Sequence, residues 1–187
     1  MHPPQRATRR PRPAAPVALL VLTLLAAAQV SALPATAAGP PTCAGMPATI
    51  WRPDPHEPDA EVFVFTGTPG DDVIVGTTAN DGISGRGGRD TICGRGGADA
   101  IDGHVLFAGS ATPPDDGAAD RLFGEGGNDY LLGGDGDDRL AGGDAFDVLF
   151  GEGGDDRFAG GAGDDQCLGG RGRDRADASC ERQRGIP

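Results

Sequence analysis

Residues 124–177 read GEGGNDYLL, GGDGDDRLA, GGDAFDVLF, GEGGDDRFA, GGAGDDQCL and GGRGRDRAD, six nine-residue units that stack without a gap. Each opens on glycine, carries aspartate at its sixth place and has a mostly apolar residue at its eighth. A fixed short period marks a stack of small units that bury their apolar side chains against one another. Four more units, GTPGDDVIV, GTTANDGIS, GRGGRDTIC and GRGGADAID, fill residues 67–102 in the same register. Between the blocks lies one unit, residues 103–123, swollen by about 12 residues around 103–117. The sixth-place aspartates are Asp72, Asp81, Asp90, Asp99, Asp120, Asp129, Asp138, Asp147, Asp156, Asp165 and Asp174. The eighth-place residues run from Ile74, Ile83, Ile92 and Ile101 through Leu122, Leu131, Leu140 and Leu149 to Phe158, Cys167 and Ala176.

The flanks differ from the array. Residues 1–37 hold Arg6, Arg9, Arg10 and Arg12, a largely apolar run from Val17 to Val30, and Ala35-Thr36-Ala37. This is the pattern of a cleaved secretory signal. The run falls short of the roughly 18–25 apolar residues that span a bilayer, so no membrane span is expected. Residues 38–66 form a non-repetitive segment. Its RPDPHEPDAE stretch reads as a loop and its EVFVFT as a strand that caps the open end of the stack. Residues 178–187, ASCERQRGIP, form a C-terminal cap tail.

Charge narrows the function classes. Without residues 1–37 the chain keeps 12 Arg against 28 acidic residues, a net charge of −16, and it contains no lysine. Such a chain repels nucleic acid and cannot supply a P-loop lysine. An even count of four cysteines, with no C-x-x-C pair, favours disulfides over a zinc site. Cys43–Cys93 and Cys167–Cys180 are the favoured pairs, since each ties a terminal segment to the near end of the array. The second ring is worth roughly 3 kcal/mol in the chain-entropy account.

The nine-residue unit divides into a six-residue turn and a three-residue strand. Glycine at the first and fourth places permits positive φ, so carbonyl oxygens can point into the turn, and the sixth-place Asp adds a carboxylate. Calcium takes six to eight oxygens at about 2.3–2.6 Å, from carboxylates and carbonyls. Two turns stacked at the strand spacing of about 4.8 Å could hold an ion that one turn could not.

GGDGDDRLA and GGAGDDQCL resemble the G-G-x-G-x-D-x-U-x unit of RTX, or haemolysin-type, calcium-binding proteins, and the likeness extends over residues 67–177. It implies an all-β fold, a right-handed parallel β-roll of about eleven nonapeptide repeats, two to each coil. It also implies that calcium sits between one turn and the turn two repeats later. Asp129 then shares an ion with Asp147, and Asp138 with Asp156; about nine ions fit at most. All eleven sixth-place aspartates become candidate metal ligands. Ala79, Ala118 and Ala145 replace a fourth-place glycine, Arg86 and Arg95 stand where a second-place glycine is usual, and the insertion breaks the fifth unit. Residues 133–174 therefore match the pattern best and residues 76–120 least.

With little apolar area per nonad and many glycines to order, the chain is expected to fold only as calcium binds. Its surface carries two further patterns. Arg121, Arg139, Arg157 and Arg175 recur at the seventh place of every second unit and form a ladder suited to an anionic partner, such as a cell-wall polymer or a protein. Tyr130, Val148, Leu132, Phe150 and Leu168 point outward on the other face, where the insertion, through Val105, Leu106 and Phe107, is expected to cover them. No H-E-x-x-H or G-x-S-x-G occurs, and the paired aspartates belong to the repeat, so no catalytic residues and no enzyme activity are expected. These features together predict a secreted calcium-binding module that acts as a scaffold, or else a calcium-dependent adhesin or regulator.

Overall fold

The computed structural model describes residues 39–52, 62–105 and 115–186. The predicted signal segment, most of the RPDPHEPDAE stretch and the tip of the insertion lie outside these residues. Within them there is no helix. The strands are β1 (Thr42–Cys43), β2 (Met46–Pro47), β3 (Ile50–Trp51), β4 (Phe63–Thr66), β5 (Val73–Val75), β6 (Asp81–Ser84), β7 (Thr91–Gly96), β8 (Ala100–Asp102), β9 (Arg121–Gly126), β10 (Tyr130–Asp135), β11 (Arg139–Asp144), β12 (Val148–Gly153), β13 (Arg157–Ala162), β14 (Gln166–Arg171), β15 (Arg175–Ala176) and β16 (Arg182–Arg184).

The fold is a parallel β-roll. Odd-numbered strands from β3 to β15 form one seven-stranded sheet and even-numbered strands from β4 to β16 form the other. Each strand pairs in parallel with the strand one coil later, so Leu131 lies beside Leu149 and Leu140 beside Phe158. Two nonads make one coil, and the eleven nonads therefore give about six turns. The insertion lengthens its coil without disturbing register: Ile92 still pairs with Leu122, and Ile101 with Leu131, across it.

Between the sheets lies a single file of eighth-place side chains. Ile74, Ile83, Ile92, Ile101, Leu122, Leu131 and Leu149 are fully buried, and Leu140, Phe158 and Cys167 nearly or wholly so. Phe65 closes this file at one end and Cys180 at the other. Strands β3 and β4 add one rung to each sheet at the N-terminal end, and β16 adds one at the C-terminal end. The hairpin of β1 and β2 packs outside the odd sheet, where Cys43, Val75 and Cys93 form a second small core with Ala48, Val73 and Phe123. Both cysteine pairs read from the sequence are present, Cys43–Cys93 and Cys167–Cys180.

Two local expectations require correction. In β7 and from β9 to β14 the strand takes six residues, from the seventh place to the third place of the next unit, and the turn only the remaining three, whereas β5 and β8 keep the expected three-residue strand. Register pairing runs on through the glycine-rich places, as in Gly134 with Glu152 and Asp135 with Gly153, so backbone groups there bond between coils instead of curling inward. Positive φ falls at the second and fourth places, not the first and fourth. Arg86, Arg95, Glu125 and Glu152 adopt it at the second place, and Ala145 at the fourth, beside many glycines. The first-place glycines serve another purpose, which the metal centre makes plain.

Candidate metal centre

All eleven sixth-place aspartates are buried, and they stand in two ladders, one along each edge of the roll. Each rung is fastened to the one before it by its own carboxylate. The Asp129 N–H donates to Asp147 Oδ1 at 2.8 Å, Asp147 N–H to Asp165 Oδ1 at 2.9 Å, and Asp138 N–H to Asp156 Oδ1 at 2.9 Å. The series is unbroken by the insertion, since Asp90 N–H reaches Asp120 Oδ1 and Asp99 N–H reaches Asp129 Oδ1. One oxygen of each carboxylate thus replaces a strand acceptor at the bend, and this use of Oδ1 leaves Oδ2 to be accounted for.

At eight rungs Oδ2 has no protein partner. In Asp90, Asp99, Asp129, Asp138, Asp147, Asp156, Asp165 and Asp174 this atom is buried and accepts no hydrogen bond. A buried, unpaired carboxylate oxygen is costly, and a row of them is stable only if a cation or proton meets the charge. Beside each inner one lies a carbonyl oxygen of the following coil. A Cβ on Gly124 would overlap Asp129 Oδ2 and the Gly142 carbonyl oxygen together, and one on Gly142 would overlap Asp147 Oδ2 and the Gly160 carbonyl oxygen. The same pairing of an aspartate oxygen with a glycine carbonyl recurs at Gly67, Gly76, Gly85, Gly94, Gly103, Gly133 and Gly151. First-place glycine is therefore a requirement of space: its missing side chain leaves room where carboxylate and carbonyl oxygens from adjacent coils converge.

This donor set suits a hard cation. Among the described residues no three His, Cys, Asp or Glu side chains gather at one point. The carboxylates come one per rung and the other oxygens come from the backbone, a mixture that calcium accepts and thiophilic metals do not. In the gap between two coils an ion would meet Asp129 Oδ2, the Gly142 carbonyl and the Asp147 carboxylate, with the equivalent atoms above and below.

Electrostatics point the same way. Burial raises these carboxyl groups from the ordinary 3.8, to about 7 at Asp90, Asp138 and Asp147, to about 8 at Asp99 and Asp120, and to about 6 at Asp156. Asp129 and Asp165 are raised for the same cause. Hydrogen bonds from the preceding rung oppose the shift, and like charge in neighbouring rungs adds to it at most of these positions.

Asp72 and Asp81 behave differently, and the cause is at the second place. Thr68 donates its N–H to Asp72 Oδ2 at 2.7 Å and its hydroxyl at 2.9 Å. Thr77 donates its N–H to Asp81 Oδ2 at 2.6 Å, and its hydroxyl reaches the same carboxylate. Neither threonine takes positive φ. Threonine without positive φ at the second place thus satisfies the carboxylate from within the turn, whereas left-handed Gly, Arg or Glu there leaves Oδ2 unpaired. Sequence reading missed this role for Thr68 and Thr77; the signal was a hydroxyl residue four places before the aspartate. Arg86 and Arg95, by contrast, take the left-handed form and leave Asp90 and Asp99 as open as the later rungs.

Both outer faces carry their patterns. Arg121, Arg139, Arg157 and Arg175 occupy adjacent positions on the odd sheet and are exposed. Among the described residues none pairs its guanidinium with an acid. Arg121, Arg139 and Arg157 border a shallow groove of about 340 Å³ floored by Phe123, Ala141 and Ala159. On the even sheet Tyr130 is exposed and packs against Phe150 with ring centres 5.2 Å apart and planes tilted by 47°, while Leu132, Val148, Phe150 and Leu168 are half-buried. The insertion residues expected to cover this face lie largely outside the described residues. No helix among the described residues is long and apolar enough to cross a membrane.

A family model described as the RTX calcium-binding nonapeptide repeat, in four copies, matches residues 66–101, 116–149 and 142–176, more than half of the chain. No curated protein and no solved structure matches.

Proposed function

The chain belongs to the RTX calcium-binding nonapeptide-repeat family, and from that premise we propose that it is a secreted calcium-binding scaffold or binding module that folds as its two aspartate ladders fill. The ligands proposed are the eleven sixth-place aspartates with the glycine carbonyls that face them. The observation that carries this reading is the row of eight buried Oδ2 atoms without partners. A chain that placed them there without a cation would bear a series of uncompensated charges along a core one side chain wide. Export agrees with the N-terminal segment and with two disulfides, which persist in oxidising compartments. The fold is a structural calcium-binding one, and the role proposed is binding rather than catalysis.

Calorimetric titration of the full chain with calcium, followed by circular dichroism, tests the proposal. About nine ions at most, taken up together with a gain of strand signal, are expected. Full strand signal in a chelator would refute coupled folding, and an absence of heat and of bound calcium would refute the ladders as metal ligands.

A second reading rests on the arginine ladder. Four aligned guanidinium groups, without acidic partners among the described residues and three of them beside a groove, favour docking of an extended anionic polymer or acidic protein segment, which would make the module an adhesin or regulator. Calcium would be needed because it neutralises the carboxylates that otherwise repel such a partner. Retention on an immobilised anionic polysaccharide in calcium, and its loss in R139A/R157A with the fold intact, is the expected result; equal retention by the variant would remove this reading.

A further inference from the structure

The two ladders end differently. At the end of one, Asp174 Oδ2 is buried and unpaired, and the three atoms nearest a Cβ on Gly169 all belong to Asp174, none of them a carbonyl of a further coil. At the end of the other stands Asp165, and here the tail continues the pattern with different residues. Asp165 N–H donates to Glu181 Oε2 at 2.6 Å, as the inner rungs donate to the next aspartate. Arg182 N–H donates to the Asp165 carbonyl oxygen at 3.1 Å, as Gln166 does to Asp147. A Cβ on Gly160 would lie 2.5 Å from the Ser179 carbonyl oxygen and 2.6 Å from Asp165 Oδ2, which reproduces the paired oxygens of the inner gaps. The Ser179 hydroxyl also accepts from Gly161 N–H at 2.9 Å.

Strand β16 explains how a tail outside the repeat can do this. It pairs with β14, Gln166 with Arg182 and Cys167 with Gln183, so its coil is shorter by two places than the one that pairs Val148 with Gln166. The shortened coil brings Glu181 to the position of a sixth-place aspartate, and the longer Glu side chain spans the remaining distance. Cys180, next to it, turns into the core and is bonded to Cys167. The bond fixes the tail against the very strand that follows Asp165.

We propose that the C-terminal tail builds an additional calcium site, formed by Asp165, the Ser179 carbonyl and Glu181 and held in place by the Cys167–Cys180 disulfide. It rests on the ladder reading above but adds a ligand outside the nonapeptide pattern. The fully buried, unpaired Asp165 Oδ2 is the atom that the ion would meet. The ladder with five aspartates thereby gains a sixth rung and closes, while the other remains open beyond Asp174.

Bound calcium is counted by equilibrium dialysis on the full chain as wild type and as E181Q, which keeps an acceptor for Asp165 N–H but loses the charge. The expected result is one ion fewer in E181Q with an unchanged dichroism spectrum in calcium; an equal count with equal affinities overturns the proposal. Should E181Q not fold, crystals of the wild type grown in calcium decide. An anomalous peak between Asp165 and Glu181 supports the site, and peaks in the inner gaps with none there overturn it. A wild-type chain that binds no calcium refutes the ladders themselves, a distinct failure from loss of the terminal site alone.

Discussion

The first coil of nonads, residues 67–84, and the coils from residue 124 onward share one pairing register but differ at the second place, in backbone and in chemistry. In the first, Thr68 and Thr77 donate N–H and hydroxyl to Asp72 and Asp81, so the carboxylates are satisfied by the protein. In the later coils the same oxygen is buried with no donor to accept from. The first coil is also backed by β3, β4 and the hairpin that Cys43–Cys93 fastens to the odd sheet. The first region therefore satisfies its carboxylates from within the protein, and on the proposed reading it should depend least on metal. In the rest, the calcium proposed above is what would meet the carboxylates. A repeat motif need not do the same job in each copy, and the second place, not the aspartate, decides which job it does.

The comparison breaks most visibly on calcium removal. In a chelator near pH 7.5, hydrogen exchange should lose its protection across residues 124–174 while residues 67–84 retain part of theirs. Uniform loss along the chain would show the two regions to be equivalent. Next in size is the space at the first place. G142A puts a methyl group onto Asp147 Oδ2 and the Gly160 carbonyl, and a loss of roughly 3 kcal/mol with weakened calcium uptake is expected in denaturant titration. G70A, where the same methyl meets nothing nearer than 4.0 Å, should be close to neutral.

Acid sharpens the contrast by standing in for the metal. Asp90, Asp99, Asp120, Asp138, Asp147 and Asp156 have folded-state values of about 6 to 8 against an ordinary 3.8, so the calcium-free fold binds more protons than the unfolded chain between those limits. Their contribution is present in full below about pH 4 and is lost as pH rises through about 6 to 8. In a chelator, strand signal should increase when pH is lowered from 8 to 5; a decrease would contradict the burial assigned to Asp99, Asp120 and Asp147.

Smaller effects concern the second place itself. T77A removes a buried hydroxyl donor from Asp81 and should cost about 1–2 kcal/mol, without altering the number of bound ions. The opposite sign is expected for E152G. Glu152 holds a φ of 72° that glycine adopts freely, and a gain of roughly 0.5–1 kcal/mol in urea unfolding would measure the strain relieved.

Much of this was legible in the chain. The Gly–Asp period prescribed a stack of short bends, the eighth-place file of Ile and Leu prescribed a core one side chain wide, and the cysteine positions prescribed which ends would be tied. These follow from residue type and spacing, because a nine-residue unit repeats its own local geometry wherever it occurs. The division of labour within the carboxylate was not legible. That Oδ1 binds the rung below while Oδ2 faces a carbonyl above depends on atoms a whole coil away along the chain. So do the spatial reason for first-place glycine, the continuity of the ladder past the insertion, and the substitution of Glu181 for an aspartate in a shortened coil. Such relations arise only when one coil is laid on the next, since an electrostatic gap belongs to two strands at once and neither strand's sequence describes it alone.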